Sequence, residues 1–396
     1  MVEEIPQKKK KWCKNWLQNR NQFSHMKLLR ELEVNVPEDY VNYARMDHQC
    51  FVYLLNKIKA KITRQDTHFR QAISAEERLM ATLRFLATGR SYEDLKFSTR
   101  ISPQSLCKII PETCEAIYSA LRDEFLKFPQ SEEEWKEKAQ EFMALWNFPH
   151  CLGAMDGKHV AIRPPPGSGS LYYNYKKFHS LVLMAIVDAN YNFLLVDIGT
   201  NGRISDGGVL QQTYFYELLD EKKLNIPRPE RLVIGKDTIY PYVFVADDAF
   251  PMKQEIMKPF KPPSGQFLTR EQSTFNYRLS RARRVVENAF GILSNRFQIL
   301  QTTIALPPET VEMIVLACCS LHNYLRRNAK QSYLPPGLVD QENLVSGNLV
   351  RGSWRNDPQL PSLDSSNPTQ NYSNDAKRVR ELYMTYFMED GKVPWQ

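Results

Sequence analysis

An α/β domain, a mixed sheet flanked by helices and preceded by an all-helical region, is the architecture the sequence predicts. Three observations carry it. Short apolar runs at 153–162, 181–187 and 193–198 are joined by turn-forming residues, the pattern of an antiparallel meander. A fourth apolar run, 242–246, follows a helical segment and ends in Asp247 and Asp248. Before residue 149 every periodic segment has helical spacing. Four segments follow: a basic flexible arm (1–24), a helical region (25–148), the α/β domain (149–328) and a mostly flexible tail (329–396).

The arm carries a lysine run from Lys8 to Lys11, then Lys14 and Arg20, with Trp12, Trp16 and Leu17 available for docking. In 26–62, Phe51, Leu54, Leu55 and Ile58 share one helical face. Ser74 and Glu77 form a capping box for a helix that runs through Leu79, Leu83 and Leu86 to Gly89. Next comes a short segment at 91–95. Beyond a turn, Ser102 precedes Pro103 at the first position of a helix reaching about Leu121. This is a helix-turn-helix-like pattern, although an ordinary helical hairpin fits the spacing as well. Arg100, Gln104, Ser105 and Lys108 stand where such a unit would meet DNA. A further capped helix spans 131–142.

The first strand of the α/β domain contains Asp156, followed by Gly157. A buried carboxylate needs a partner or a metal, so Asp156 requires a reason. After a turn cluster at 163–170, Tyr172, Tyr173 and Tyr175 alternate with Lys176 and Lys177, a mixture suited to a nucleic-acid groove. A loop to Asp206 precedes a helix through Leu210 to Leu219. The helix predicted over 279–297 buries Leu279, Ala282, Val286, Ala289, Phe290, Leu293 and Phe297. Arg283, Arg284, Glu287, Gly291 and Ser294 lie on an adjoining face. A last apolar helix covers 311–325. Residues 331–374 thin to Ser, Asn, Pro and Asp and read as a loose tail, with one short helix at 375–388.

The chain has 396 residues, 42% hydrophobic and 24% charged, which is ordinary for two or three globular domains. Its net charge of +7 suits a polyanionic partner. The lysine run is a nuclear-import or nucleic-acid candidate. None of the seven cysteines forms a Cys-x-x-Cys pair, and they read as reduced thiols of an intracellular protein. No signal-peptide pattern or membrane-length apolar run occurs. The expectation is a nuclear protein, also cytoplasmic, with no membrane contact.

Three meandering strands, a helix, a further strand and later helices make up the element order of the ribonuclease-H-like fold. In that order the first strand, the strand after the first helix and a later helix each carry an acid, here Asp156, Asp247 and Glu287. Three hard-oxygen carboxylates on rigid elements suit two divalent cations, Mg²⁺ or Mn²⁺. Two such ions, ~4 Å apart, hold the attacking and leaving oxygens of a phosphodiester in line.

Several motifs carry a resemblance. Met155-Asp-Gly-Lys-His159, Tyr172-Tyr-Asn-Tyr-Lys176, Gly202-Arg-Ile-Ser-Asp206, Ala246-Asp-Asp-Ala-Phe250 and Arg284-Val-Val-Glu-Asn-Ala-Phe-Gly291 resemble the PIF/Harbinger superfamily of DDE transposases. The resemblance covers about residues 12–330. It implies that Asp156, Asp247 and Glu287 are the catalytic, metal-binding acids and that Asp206 is an accessory ligand. Asp206 also fits as the N-cap of the next helix. The family's Gly-Asp-x-Gly-Tyr is replaced by Ala246-Asp-Asp-Ala-Phe250, so Asp248 competes with Asp247 as the ligand. The implied activity is a metal-dependent DNA endonuclease or transposase, by two-metal hydrolysis and strand transfer. The alternative is a domesticated DNA-binding or recruiting protein without turnover. Implied partners are DNA, a separate Myb-like DNA-binding protein and a second copy of the chain. Arg283, Arg284, Lys176, Lys177, Arg100 and Lys108 are the expected DNA contacts, with Arg284 favoured beside Glu287. The competing expectation is that the arginines pair with acids in 217–230.

Overall fold

The computed structural model describes residues 14–68, 71–202, 206–262, 265–343, 347–363 and 372–396. The chain divides after Ala116 into two units. In the first, α1 (Asn15–Gln18) and α2 (Arg20–Phe23) are single turns. The helical stretch expected over 26–62 is three helices, α3 (His25–Asn35), α4 (Pro37–Ala44) and α5 (His48–Ile62). Local chemistry makes the breaks. Pro37 disfavours helical backbone at Val36, Arg45 turns left-handed at φ 62°, and Asp47 caps α5 by accepting the Cys50 N–H at 2.7 Å. Then α6 (Ala75–Thr88) opens on the Ser74/Glu77 capping box and stops at Gly89, φ 65°. Next come α7 (Tyr92–Thr99) and a turn through Arg100 at φ 54°. Ser102 caps α8 (Pro103–Phe125), accepting the Ser105 N–H at 3.2 Å. Leu79, Leu83, Leu95, Leu106 and Ile110 are buried, while Gln104, Cys107 and Lys108 face outward.

The arm expected to be loose is helical over its described residues. Trp16 stacks on Phe97 with ring centroids 5.7 Å apart. Lys8 to Lys11 and Trp12 lie outside the described residues.

The second unit holds α9 (Glu132–Trp146), then β1 (Cys151–Ala161), β2 (Ser180–Val187) and β3 (Phe193–Asn201). After α10 (Asp206–Gln211) and α11 (Tyr214–Asp220), a small ladder, β4 (Glu230–Arg231) and β5 (Ile239–Tyr240), precedes β6 (Val243–Val245) and β7 (Ile256–Met257). The main sheet has the order β3-β2-β1-β6-β7. The β1–β2–β3 meander is antiparallel, and β1–β6–β7 is parallel. This mixed sheet with flanking helices is the predicted ribonuclease-H-like arrangement.

Every residue of β1 but the last, and all of β2, is buried. Alternation assigns the two faces. Met155 and Gly157 pair with Ile186 and Met184 and face a core containing Trp135 of α9. Asp156 and Lys158 project to the other side, against α12 (Arg270–Arg296). That helix begins nine residues before the predicted start at 279, on a Thr269/Gln272 capping box that precedes a polar first turn. It is followed by α13 (Pro308–Asn328) and α14 (Lys330–Tyr333).

The tail is a correction. Beyond the ladder β8 (Gln341–Glu342) and β9 (Leu349–Val350), Trp354 is buried, as are Tyr383 and Phe387 of α15 (Asn374–Met388). Phe148 packs on both Tyr383 and Phe387. Arg278 of α12, 1% exposed, donates to the Gly391 carbonyl at 2.7 Å. A few aromatic anchors fix a segment whose average composition reads as flexible. Residues 364–371 of that tail lie outside the described residues. Among the described residues, no helix is long and apolar enough to cross a membrane.

Candidate active site

Asp156 sits at the centre of β1, and its side chain is 3% exposed. Its Oδ1 accepts the Gly157 N–H at 2.9 Å, and its Oδ2 lies 2.7 Å from Lys158 Nζ. A Cβ on Gly157 would overlap the Leu363 side chain, which would have to shift to make room. Asp247 lies two residues past β6, the parallel neighbour of β1, and its Oδ1 accepts the Ala249 N–H at 2.9 Å. Burial and then the charge of Asp156 push the Asp247 carboxyl up to about 6. Glu287 comes from α12. Its Oε1 pairs with Arg283 Nη2 one turn back at 2.5 Å, and its Oε2 with Arg355 Nη2 at 3.4 Å.

These acids line one pocket of about 260 Å³, together with Lys158, Arg283 and Arg355. Three carboxylates face three cations. For Arg283, burial opposes the charge, and Glu287, Asp156 and Asp247 outweigh it, so its guanidinium holds its proton above the ordinary range. Oxygen donors from three elements, with two of the acids repelling each other in a desolvated pocket, fit a pair of hard dications. The acids are not drawn to a single point: among the described residues, no three His, Cys, Asp or Glu side chains are grouped closely enough to share an ion.

Asp248 turns elsewhere. It pairs with Lys258 at 3.2 Å and with Lys261, and it does not line the pocket. Of the two acids expected to compete as ligand, Asp247 is the one that lines the pocket. Asp206 opens α10, but its side chain lies outside the described residues.

Residues 155–323 match the family described as DDE superfamily endonuclease. These residues form a DDE superfamily endonuclease domain. "Putative nuclease HARBI1" of Rattus norvegicus is 26% identical over 343 residues, 86% of this chain and 87% of that protein. The Homo sapiens protein of the same name is 27% identical over 343 residues, with the same two shares. "Protein ALP1-like" of Arabidopsis thaliana is 26% identical over 297 residues, 73% of this chain and 71% of that one. No solved structure matches the chain.

The basic residues around the DDE domain's pocket divide by accessibility. Arg283 lines the pocket beside Glu287. Arg284, expected to meet DNA, has a side chain 11% exposed that pairs with Glu342 Oε2 at 3.5 Å. Nor is its acid in 217–230, as the competing expectation had it. Glu342 accepts Arg281 Nε at 2.6 Å as well. Lys176 and Lys177 are exposed, with Lys176 Nζ 5.5 Å from the Tyr175 ring centre. His159, on the face opposite Asp156, is hydrogen-bonded through Nδ1 to Ser180 Oγ at 2.9 Å. Burial, and then Lys176 and Lys158, push it down to about 4, which makes it a neutral packing residue.

In the N-terminal unit, Lys108 is exposed on α8. Arg100 Nε donates to the Phe23 carbonyl at 3.2 Å and Nη1 to that of Trp16, so these two donors hold α1 and α2.

Sequence reasoning passed over Lys158 and Arg355. Lys158 was accessible from strand periodicity, since residues two apart share a face. Arg355 carried no local signal.

Proposed function

We propose that this protein is a divalent-metal-dependent DNA endonuclease of DDE type that hydrolyses phosphodiester bonds, and that a DNA 3′ hydroxyl can replace water as the nucleophile, attacking an intact target phosphodiester whose 3′ oxygen leaves. One observation carries the reading: acids from β1, the end of β6 and α12 converge on a single pocket of a DDE endonuclease domain. Asp156, Asp247 and Glu287 would hold two Mg²⁺ or Mn²⁺ ions. Bound there, such ions activate the attacking oxygen and neutralise the leaving one.

The chain's own residues set the conditions. Asp247 must give up its proton to serve as a ligand, and its pKa, raised to about 6 by burial and the charge of Asp156, sets protons in competition with metal there. Arg283 presents a permanent cation at the pocket wall, placed to meet a phosphate entering beside Glu287. Lys176, Lys177 and Lys108 are exposed cations for flanking backbone phosphates. The same reading puts the protein in the nucleus on DNA, as a homo-oligomer beside a Myb-like DNA-binding partner.

A second reading, a domesticated binding protein without turnover, has one observation in its favour. Both oxygens of Asp156 and of Glu287 already face protein donors or cations. Calorimetric titration with Mn²⁺ at pH 7.5 or so separates the two. The enzyme reading expects binding that Glu287→Ala weakens by more than about 100-fold, since even outer-shell residues of metal sites contribute 10–100-fold. Absence of binding in the unaltered protein, or binding indifferent to Glu287, would favour the second.

A further inference from the structure

The segment 352–363 lines the pocket through Trp354, Arg355, Gln359, Leu360 and Ser362, and four separate contacts hold it there. Trp354 packs where Gly291 leaves α12 bare, since a Cβ at Gly291 would overlap the indole, and its Nε1 donates to Asn288 Oδ1 at 2.9 Å. Arg355 binds Asp340 through Nε, at 2.9 Å to Oδ1 and 3.1 Å to Oδ2, and through Nη2. Ser362 Oγ accepts from Lys158 Nζ at 2.7 Å. Beyond Ala154, where the pairing with β6 ends, β1 takes Pro361 and Ser362 as its edge neighbours: the His159 N–H donates to the Pro361 carbonyl at 2.8 Å.

Arg355 is shared unequally. Asp340 grips it tightly, whereas its contact with Glu287 Oε2 is the longest of its ion pairs at 3.4 Å. It can leave Glu287 and keep its principal partner. While it stays, Glu287 has an arginine on each oxygen, and a positive charge stands beside the position a dication would take. Through Ser362 the same segment also holds Lys158 against Asp156.

We propose that segment 352–363 is a gate on the active site: Arg355 stands in for metal charge at Glu287 in the resting protein, and the segment must loosen enough for Arg355 to release Glu287 before ions occupy the acids. The proposal rests on the metal-dependent reading above. It makes the tail a regulator of that site, opened when DNA or a partner protein draws the segment off.

The test uses the full chain. Mn²⁺ affinity is measured by calorimetry for the unaltered protein, Arg355→Gln, Trp354→Ala and Glu287→Ala. Hydrogen exchange of the amides in 353–362 is followed with and without Mn²⁺. Arg355→Gln removes the competing charge, while Trp354→Ala leaves every charge in place and removes the anchor, so a folding defect in one does not disable the test. Both should bind Mn²⁺ at least about tenfold more tightly, the effect of one unit charge a few ångströms away in a partly hydrated pocket. Mn²⁺ should speed exchange in 353–362 of the unaltered protein. Unchanged or weaker affinity in both variants, with binding still lost in Glu287→Ala, overturns the gate and leaves the metal site standing. Binding that does not depend on Glu287 in any variant overturns both.

Discussion

Asp247→Asn should raise the melting temperature at pH 7 and abolish cleavage at the same time. The folded protein lifts this carboxyl from an ordinary 3.8 to about 6, first by burial and then by the charge of Asp156. Between those values the folded state holds a proton that the unfolded state has released. The favourable contribution of the protonated group is complete below about pH 4 and is lost as pH rises through 6. At pH 7 the ionised carboxylate costs on the order of 3 kcal/mol. Asparagine keeps an oxygen for the Ala249 N–H and removes the charge. The stability gain should shrink as pH falls and vanish near pH 4. Thermal melts at pH 4, 5.5 and 7, run beside a cleavage assay, test both halves. A variant that melts at or below the wild-type temperature at pH 7 would remove the electrostatic argument for the pocket.

The largest loss of stability is expected at Arg281→Ala. Arg281 and Glu342 are 3% and 5% exposed and pair at 2.6 Å, and Arg281 Nη1 also donates to the Trp146 carbonyl at 3.0 Å. Removing one partner of a buried pair strands the other charge, at about 3–5 kcal/mol. Arg284 and the Tyr277 hydroxyl still reach Glu342, so the lower end applies, a fall of roughly 6–12 °C in Tm. Arg284→Ala should lower Tm less, by a few degrees, and leave the salt dependence of DNA affinity where it was. A phosphate contact would instead flatten the slope of log affinity against log salt by about 0.9. That flattening in Arg284→Ala would contradict the structural role assigned to it.

Asp156, Asp247 and Glu287 could be picked out because each stands in a strong local pattern: an apolar strand, a strand end, the polar face of an amphipathic helix. The meander was legible from its turns, and the parallel neighbour from its position after a helix. Where α12 begins was hidden because its first turns are polar and bury little. The predicted helix at 210–219 breaks into α10 and α11 where Thr213 caps a new start, accepting the Tyr216 N–H at 3.2 Å. The pairing of Arg284 was hidden because its acid, Glu342, is 58 residues away in the chain. Arg355 was missed for the same reason. Its partners, Glu287 and Asp340, are brought to it by tertiary packing that no periodicity announces.

The central claim is that the pocket between β1, the end of β6 and α12 cuts DNA with divalent metal held by its acids. Incubating duplex DNA with the full chain and Mg²⁺ or Mn²⁺, beside Asp156→Ala and a chelator control, tests it most directly. The account predicts metal-dependent strand breaks that the chelator stops and that Asp156→Ala reduces by more than about 100-fold. Equal cleavage by Asp156→Ala and the unaltered protein would contradict it.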